Sequence, residues 1–371
     1  MTQATNPSRL ESLELAGTPK DRGIKHGEQY ASEIAENVRT YLWVFDHYGI
    51  DEETVYEQAK EFVSIIEKEN EEYAAEMRGI SEGADLPVED ITILNARYEV
   101  MYSAYAEAAA DLDEAKPDGC TAFAVRPEIT ADGRALMGQN WDWIPDVNIF
   151  VMDIRREEKP NMIALTEAGI VGGKIGINEA GIGMTLNGLI SKGDGKEPFR
   201  KPYHVRFREA LDSKRLDTAI APFITKDRAN SANVLLGHTE GEFINLELAP
   251  ETASYLYPED GLLTHANHFE DRSEVNSEFE KIVPDTLCRA PRLNRLLSKC
   301  AGDLDLEDAK TALQDHFGKP NSICAHIDES LPEPEQSQTN GCYLIDLEER
   351  RLIGTEGPPC ENEFTTFEVS N

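Results

Sequence analysis

Two hydrophobic periods divide the chain. Up to about residue 110, apolar residues recur every three or four positions and trace three helical stripes. The first runs through Ile34, Val38, Tyr41, Leu42 and Phe45. The second joins Val55, Ala59, Phe62, Ile66, Tyr73, Met77 and Ile80, and the third Ile91, Leu94, Tyr98, Met101 and Tyr105, with Gly49 and Pro87 as punctuation. Beyond residue 120 the period falls to two. Strand-like runs cover Ile149–Ile154, Met162–Leu165, Lys174–Asn178, Ile182–Leu186, Val234–Gly237, Phe243–Leu248 and Tyr343–Leu347, many joined by glycine-containing turns. Helical patterns intervene at Tyr203–Leu211, Leu287–Leu297 and Leu306–His316, and Ser191–Pro202 and Leu331–Asn340 read as long loops. Strands and helices in this mixed order predict α+β layers, not an alternating parallel fold.

The two regimes meet at Asp118–Trp143, DGCTAFAVRPEITADGRALMGQNWDW. Thr121, Phe123 and Val125 alternate with Ala122 and Ala124, which suits a half-buried strand beginning at Cys120, and Asp132-Gly133 supplies a tight hairpin turn. Upstream, Asp111–Asp118 (DLDEAKPD) is acidic, holds a proline and reads as an exposed connector. The Gly119-Cys120 bond therefore falls where a flexible loop joins a rigid sheet. With no side chain on Gly119, the thiol can approach its carbonyl closely, and a strained peptide there can pass its acyl group from nitrogen to sulfur. The plain alternative is a buried free cysteine at a strand start.

Context favours the nucleophile. Gly119-Cys120-Thr121 followed by Gly138-Gln139-Asn140-Trp141-Asp142-Trp143 resembles the acyl-coenzyme A:6-aminopenicillanic acid acyltransferase family of N-terminal-nucleophile hydrolases. The resemblance extends through Ala16-Gly17-Thr18-Pro19, Arg22-Gly23 and His26-Gly27 at the front and Asn178-Glu179-Ala180-Gly181-Ile182-Gly183 leading to Asn187. It continues with Thr264-His265-Ala266-Asn267-His268 and ends at Gly357-Pro358-Pro359-Cys360 before a short strand. It implies a four-layer αββα sandwich. It also implies self-cleavage between Gly119 and Cys120, leaving a helical segment (residues 1–119) docked on a catalytic segment (120–371), and active-site asparagines at Asn187 and Asn267. Many relatives carry Arg where Gln139 stands; the penicillin acyltransferase branch resembles this sequence in having Gln. A late family arginine has no counterpart in Ser322-Ile323-Cys324-Ala325-His326.

Once Cys120 heads its own chain, its thiol (reference pKa about 8.5) lies beside its own α-amine (about 7.7–8.0), which serves as base without a histidine. The oxyanion formed on attack needs fixed donors, and the side-chain amides of Asn187 and Asn267 donate without carrying a charge that must be desolvated. Asp142, across the hairpin, is placed to hold the α-amine. The expected enzyme is a self-processing amidohydrolase or acyltransferase working through a Cys120 thioester on a small N-acyl or penicillin-like amide, with hydrolysis dominant and no cofactor. Two alternatives remain open at this point. A papain-like hydrolase would pair Cys120 with His265 but expects a helix after the cysteine. A non-catalytic acidic binding protein would keep the fold and leave the Gly119-Cys120 bond intact.

Charge narrows the partners. The 371 residues carry a net charge of −34, with 27 acidic and 10 basic residues up to Gly119 and 43 and 26 beyond it. Such a surface repels nucleic acid and anionic membranes, disfavours coenzyme A thioesters, and points to a high-salt, halophilic cytoplasm in which salt screens repulsion between the two equally charged segments. The six cysteines form no CxxC pair or zinc-finger spacing and read mostly as reduced core residues. The first 17 residues lack a basic region followed by an apolar core, and no stretch of about 18 apolar residues occurs, so a soluble cytoplasmic protein is expected. Gly172-Gly173-Lys174 lacks the rest of a phosphate loop, Gly181-Ile182-Gly183 precedes a strand and no helix, and His265 and His268 lack a zinc-protease glutamate; nucleotide and metal sites are not expected there.

Overall fold

The computed structural model describes residues 10–111, 119–225 and 227–370. The acidic connector 112–118 and the side chain of Tyr105 lie outside the described residues. Strand β1 (Ser12–Ala16) leads into six helices: α1 (Pro19–Gln29), α2 (Ala31–His47), α3 (Glu52–Glu69), α4 (Glu71–Ala84), α5 (Val88–Asn95) and α6 (Arg97–Asp111). The first stripe is α2. The second is split at Asn70, which ends α3 in an extended conformation and caps α4 by accepting from Tyr73 N at 3.0 Å. The third is split at Ala96 between α5 and α6. Helix α1, with Thr18 and Asp21 forming a capping box, has no counterpart in the three stripes.

From Cys120 onward come β2 (Cys120–Val125), β3 (Leu136–Trp143), β4 (Ile149–Arg155), β5 (Met162–Glu167), β6 (Ile175–Asn178) and β7 (Ile182–Gly188). Helices α7 (Tyr203–Leu211) and α8 (Leu216–Ile224) follow, then β8 (Ala232–His238), β9 (Phe243–Leu248), β10 (Ala253–Leu256) and β11 (Leu262–His265). The chain continues through α9 (Phe279–Ile282), α10 (Thr286–Ser298) and α11 (Leu306–Leu313) to β12 (Gln338–Asp346), β13 (Arg351–Gly354) and β14 (Thr365–Glu368). One sheet has the order β1-β4-β5-β6-β7-β8-β9-β10 and the other β11-β2-β3-β12-β13-β14. All strand pairs are antiparallel except β1 with β4. The sheets face each other through β2, β3 and β7; α7 and α8 pack on the outer face of the larger sheet, and α10 and α11 cover the smaller. This is the αββα sandwich.

Because β2 lies inside four layers it is buried on both faces, not half-buried. Phe123 and Val125 join the cluster under α10 and α11, whereas Cys120 and Ala124 belong to the core between the sheets. The alternation that marks this strand is large against small: the small residues let the sheets approach where the thiol sits. Among the described residues no helix is long and apolar enough to cross a membrane.

The helical segment is tied to the sheets by opposite charges. Arg208 reaches Glu76, Lys201 reaches Glu69, Lys159 reaches Glu72 and Arg155 reaches Glu14, each cation on the sheet-bearing side. These pairs offset locally part of the repulsion expected between two segments of like net charge.

Helices α1 and α4 meet glycine to glycine. A Cβ on Gly23 would lie 2.1 Å from Glu76 O, and one on Gly79 would lie 2.4 Å from Lys20 O and 2.9 Å from Gly23 Cα. This close crossing carries Arg22 to Glu76, where its Nε and Nη2 donate at 3.0 and 2.8 Å. Gly79→Ala should force the backbones apart and cost about 3 kcal/mol, the upper range for overpacking. Denaturant titration checks this; a loss under about 0.5 kcal/mol, typical of an exposed site, would contradict the close packing.

Candidate active site

Cys120 occupies the first position of β2, opposite Trp141 of β3, with 4% of its surface exposed. Its backbone N–H donates to Asn267 Oδ1 at 2.6 Å, and its carbonyl accepts from Arg289 Nη1 at 2.6 Å. The thiol Sγ lies 4.0 Å from the Asp142 carbonyl oxygen. Asn267 arrives through topology: β11 pairs with β2, His265 opposite Ala122, so the chain leaving β11 passes the start of β2. Its side chain is fixed at both ends, since Oδ1 also accepts from Arg289 Nη2 at 3.0 Å and Nδ2 donates to Gly188 O at 3.0 Å. The Asn267 oxygen, not its nitrogen, thus faces Cys120.

Arg289 is the residue that the sequence reading missed. It lies on the buried face of α10 with Thr286, Ala290, Leu293 and Leu297, and also donates to Thr121 Oγ1 at 2.9 Å and Asp285 Oδ2 at 2.7 Å. The signal was available: an arginine four residues before Leu293, on the apolar stripe of a helix, must find buried partners. A Cβ on Gly119 would lie 2.9 Å from Arg289 Nη2 and 3.3 Å from Asp142 Oδ2. With the guanidinium held by Cys120, Thr121, Asn267 and Asp285, a glycine is what fits before the cysteine.

Asp142 is buried and accepts from Thr339 Oγ1 at 2.6 Å. Burial pushes its carboxyl well above the usual carboxylate range; Arg289 and the Thr339 hydroxyl pull it down, and Asp285 adds to the rise. Asn187 lies on β7, in the strand facing β2. Gly183, four residues earlier on the same face, would aim a Cβ at Met137 and Ile345 of the opposite sheet, so Asn187 also points between the sheets. Asn187 Oδ1 accepts from Asn233 Nδ2 at 3.2 Å, and Asn233 Oδ1 accepts from Asn245 Nδ2 at 2.6 Å. Asn187 Nδ2 is buried and meets no hydrogen-bond partner among the described residues. An oriented, unused amide donor in the inter-sheet space costs free energy unless something accepts from it.

Two spaces flank the cysteine. On the Gly119 side a pocket of about 410 Å³ is floored by Gly119, Asp142 and Arg289 and walled by Ile282, Val283, Phe317 and Leu331. The segment ahead of β12, residues 331–337, borders it through Leu331, Glu335 and Ser337. On the thiol side a cavity of about 20 Å³ lies among Cys120, Trp141, Trp143, Tyr98 and Lys174, room for about one water. Behind it, the Arg97 guanidinium stacks 4.4 Å from the Trp143 ring and pairs with Glu167, as does Lys174, which lies over Trp141 at 3.9 Å.

The other singled-out residues serve packing. Gly172 lies under the α7 backbone, where a Cβ would be 2.1 Å from His204 O, and Gly181 (φ 81°) turns the chain between β6 and β7. His265 directs Nε2 to Glu247 Oε1 at 2.7 Å and Nδ1 to Ala266 O at 2.8 Å, so both ring nitrogens are engaged away from the thiol. With Cys120 opening a strand, the papain-like reading falls. Only three of the six cysteines, Cys120, Cys324 and Cys342, are buried; Cys288 and Cys360 are exposed.

Residues 129–352 match the family model described as acyl-coenzyme A:6-aminopenicillanic acid acyl-transferase. A relative from Emericella nidulans, acyl-coenzyme A:6-aminopenicillanic-acid-acyltransferase 40 kDa form, is 30% identical over 314 residues, covering 83% of this chain and 82% of its own. The chain belongs to this acyl-transferase family. Among solved structures it is similar to an N-acylethanolamine-hydrolyzing acid amidase ortholog from Caenorhabditis elegans (14% identity, TM-score 0.48, 62% of this chain and 93% of that one). It is also similar to penicillin V acylase from Agrobacterium tumefaciens (14% identity, TM-score 0.41, 67% and 86%). In this acyl-transferase family member, Asp142, Asn187, Asn267 and Arg289 fall within the matched region and Cys120 just ahead of it. Gln139 clamps the two sheets: its Nε2 donates to Leu186 O and its Oε1 accepts from Leu186 N at 3.0 Å. It brings no charge to the thiol.

Proposed function

We propose that the chain is a self-processing cysteine amidohydrolase with acyltransferase capacity, in which Cys120 first cleaves its own bond to Gly119 and then carries acyl groups as a thioester. The observation that carries this reading is the clamp on the Gly119-Cys120 junction. Asn267 holds the Cys120 nitrogen, Arg289 holds the Cys120 carbonyl, and Asp142 stands against Gly119.

In the first step the Cys120 sulfur attacks the Gly119 carbonyl carbon, the carbon–nitrogen bond breaks, and the thiol proton ends on the leaving nitrogen. Water then hydrolyses the Gly119 thioester, leaving a Gly119 carboxylate, a free thiol and the Cys120 α-amine. That amine keeps Asn267 as its acceptor. Asp142, held toward its neutral form while buried beside an amide, shifts toward its charged form once an ammonium appears next to it. In turnover the α-amine takes the thiol proton, the thiolate adds to a substrate amide, and the α-ammonium protonates the departing amine. Asn187 Nδ2 is the donor available for the oxyanion. The 410 Å³ pocket is within the usual size for small ligands, and its apolar walls suit an acyl chain of an N-acyl or penicillin-like amide.

After scission the two chains stay docked through buried ties. Arg97 pairs with Glu167, Tyr98 OH donates to Ser231 O at 2.7 Å, and Trp143 Nε1 donates to Tyr41 OH at 2.6 Å.

The test supplies one acyl amide with and without a nucleophilic amine and quantifies free acid against new amide. Free acid should dominate at millimolar amine, because the two guanidiniums lining the pocket are already paired, Arg289 with Asp285 at 2.7 Å and Arg292 with Asp315 at 2.6 Å. New amide dominating would make transfer the principal reaction.

A further inference from the structure

Outside this site, four side chains from distant parts of the sequence converge on one point. His316 and His326 come from the loop after α11, Cys324 lies between them, and Cys360 comes from the turn after β13. Their ligand atoms all lie within 4.8 Å of one another. The Cys324 and Cys360 sulfurs are 3.6 Å apart, and the His316 and His326 Nε2 atoms 3.1 Å apart. His326 Nε2 is 3.7 Å from the Cys324 sulfur and 3.4 Å from that of Cys360.

We propose that His316, Cys324, His326 and Cys360 form a structural zinc site. Zinc–sulfur bonds of about 2.3 Å and zinc–nitrogen bonds of about 2.05 Å in a tetrahedron require edges of about 3.8 Å between sulfurs, about 3.3 Å between nitrogens and about 3.6 Å between sulfur and nitrogen. The four separations lie within about 0.2 Å of these edges, and the His316 ligand atom lies within 4.8 Å of both sulfurs. A donor set of two sulfurs and two imidazole nitrogens selects zinc over the oxygen-seeking magnesium and calcium. On binding, each thiol gives its proton to solvent and forms a sulfur–zinc bond, and the two imidazoles bind neutral.

The surroundings hold the ligands in place without metal. Cys324 N donates to Asp315 O at 3.0 Å, His326 N to Pro320 O at 3.0 Å, and Gln314 Nε2 to Pro359 O at 2.8 Å, which joins the turn bearing Cys360 to the end of α11. Glu361 Oε1 stands 3.6 Å from His326 Nδ1, the side opposite the cluster, where ligand histidines find a carboxylate. His316 and Cys360 are exposed, so an ion has a path in.

The site would brace the catalytic pocket. Between its ligands run Phe317, Asn321 and Ile323 on the pocket wall, and Ala325 N donates to Thr339 Oγ1 at 2.9 Å, the hydroxyl that bonds Asp142. The site itself is independent of the chemistry proposed for Cys120.

The test is metal content after purification, loading with zinc sulfate and exhaustive dialysis, with cobalt(II) as an optical probe. One zinc per chain is expected, with thiolate-to-cobalt charge-transfer absorption on substitution and a lower melting temperature after chelation. Cys360→Ser and His316→Ala, at exposed positions, should lose the ion by at least tenfold in affinity, and Cys288→Ser, an exposed thiol outside the cluster, should retain it. If Cys360→Ser does not fold, the cobalt spectrum of the parent protein decides alone. Folded protein that holds no zinc, a cobalt spectrum without thiolate absorption, or a Cys324–Cys360 disulfide in protein purified with reductant each overturns the proposal.

Discussion

Cys120→Ala is expected to leave the chain uncut and to abolish turnover, because one thiol performs both reactions. The substitution should be tolerated structurally. Cys120 is buried between the sheets next to Ala122 and Ala124, so alanine removes one sulfur from a region already built of small side chains. The backbone clamp does not involve the thiol: the Cys120 N–H still has Asn267 and its carbonyl still has Arg289. A folded variant with a melting temperature near that of the uncut parent and no detectable product is the predicted outcome. Cleavage of the variant at the same bond would show that a group other than the thiol attacks Gly119, and amide hydrolysis above background would remove Cys120 from the mechanism.

The second large effect is at Asn267. Removing its amide in Asn267→Ala strips an acceptor from the Cys120 nitrogen and from Arg289 Nη2, and a donor from Gly188 O, all buried. Turnover should fall by roughly 100-fold or more, the scale on which a small misplacement of a reacting group slows catalysis. Self-cleavage should slow but persist, since Arg289 still holds the Cys120 carbonyl. Asn267→Asp separates positioning from charge. It keeps the oxygen facing the Cys120 nitrogen but places an acceptor against Gly188 O, so it should process better than alanine and still turn over poorly. Processing and turnover rates measured by mass spectrometry and product release check both variants. Near-parental turnover in Asn267→Ala would take the residue out of the site.

The layered fold was legible wherever one apolar period ran uninterrupted. Tyr203–Leu211 emerged as α7 with the expected bounds, and the alternating runs from Ile149 to Leu248 became β4 to β9. It blurred where two helices share a phase. Ile66 and Tyr73 are seven residues apart, two turns of helix, so the stripe passes through Asn70 although the backbone breaks there. Short strands such as β10, β11 and β13 are four residues each and carry too little alternation to stand out.

At the site, Cys120, Asp142 and Asn267 could be named because each sits in a motif. Asn187 was named too, yet its unused amide nitrogen appears only in three dimensions. Arg289 and the His316–Cys360 cluster were not named, for the same physical reason. Their partners are contributed by strands and loops remote in sequence, and no local spacing records that β11 returns beside β2 or that the turn after β13 meets the loop after α11.

The most direct test of the account is the intact mass and N-terminal sequence of the wild-type protein, purified and fully matured. Two co-purifying chains are expected, residues 1–119 and 120–371, the second beginning at Cys120. A single chain of 371 residues with full activity would contradict it.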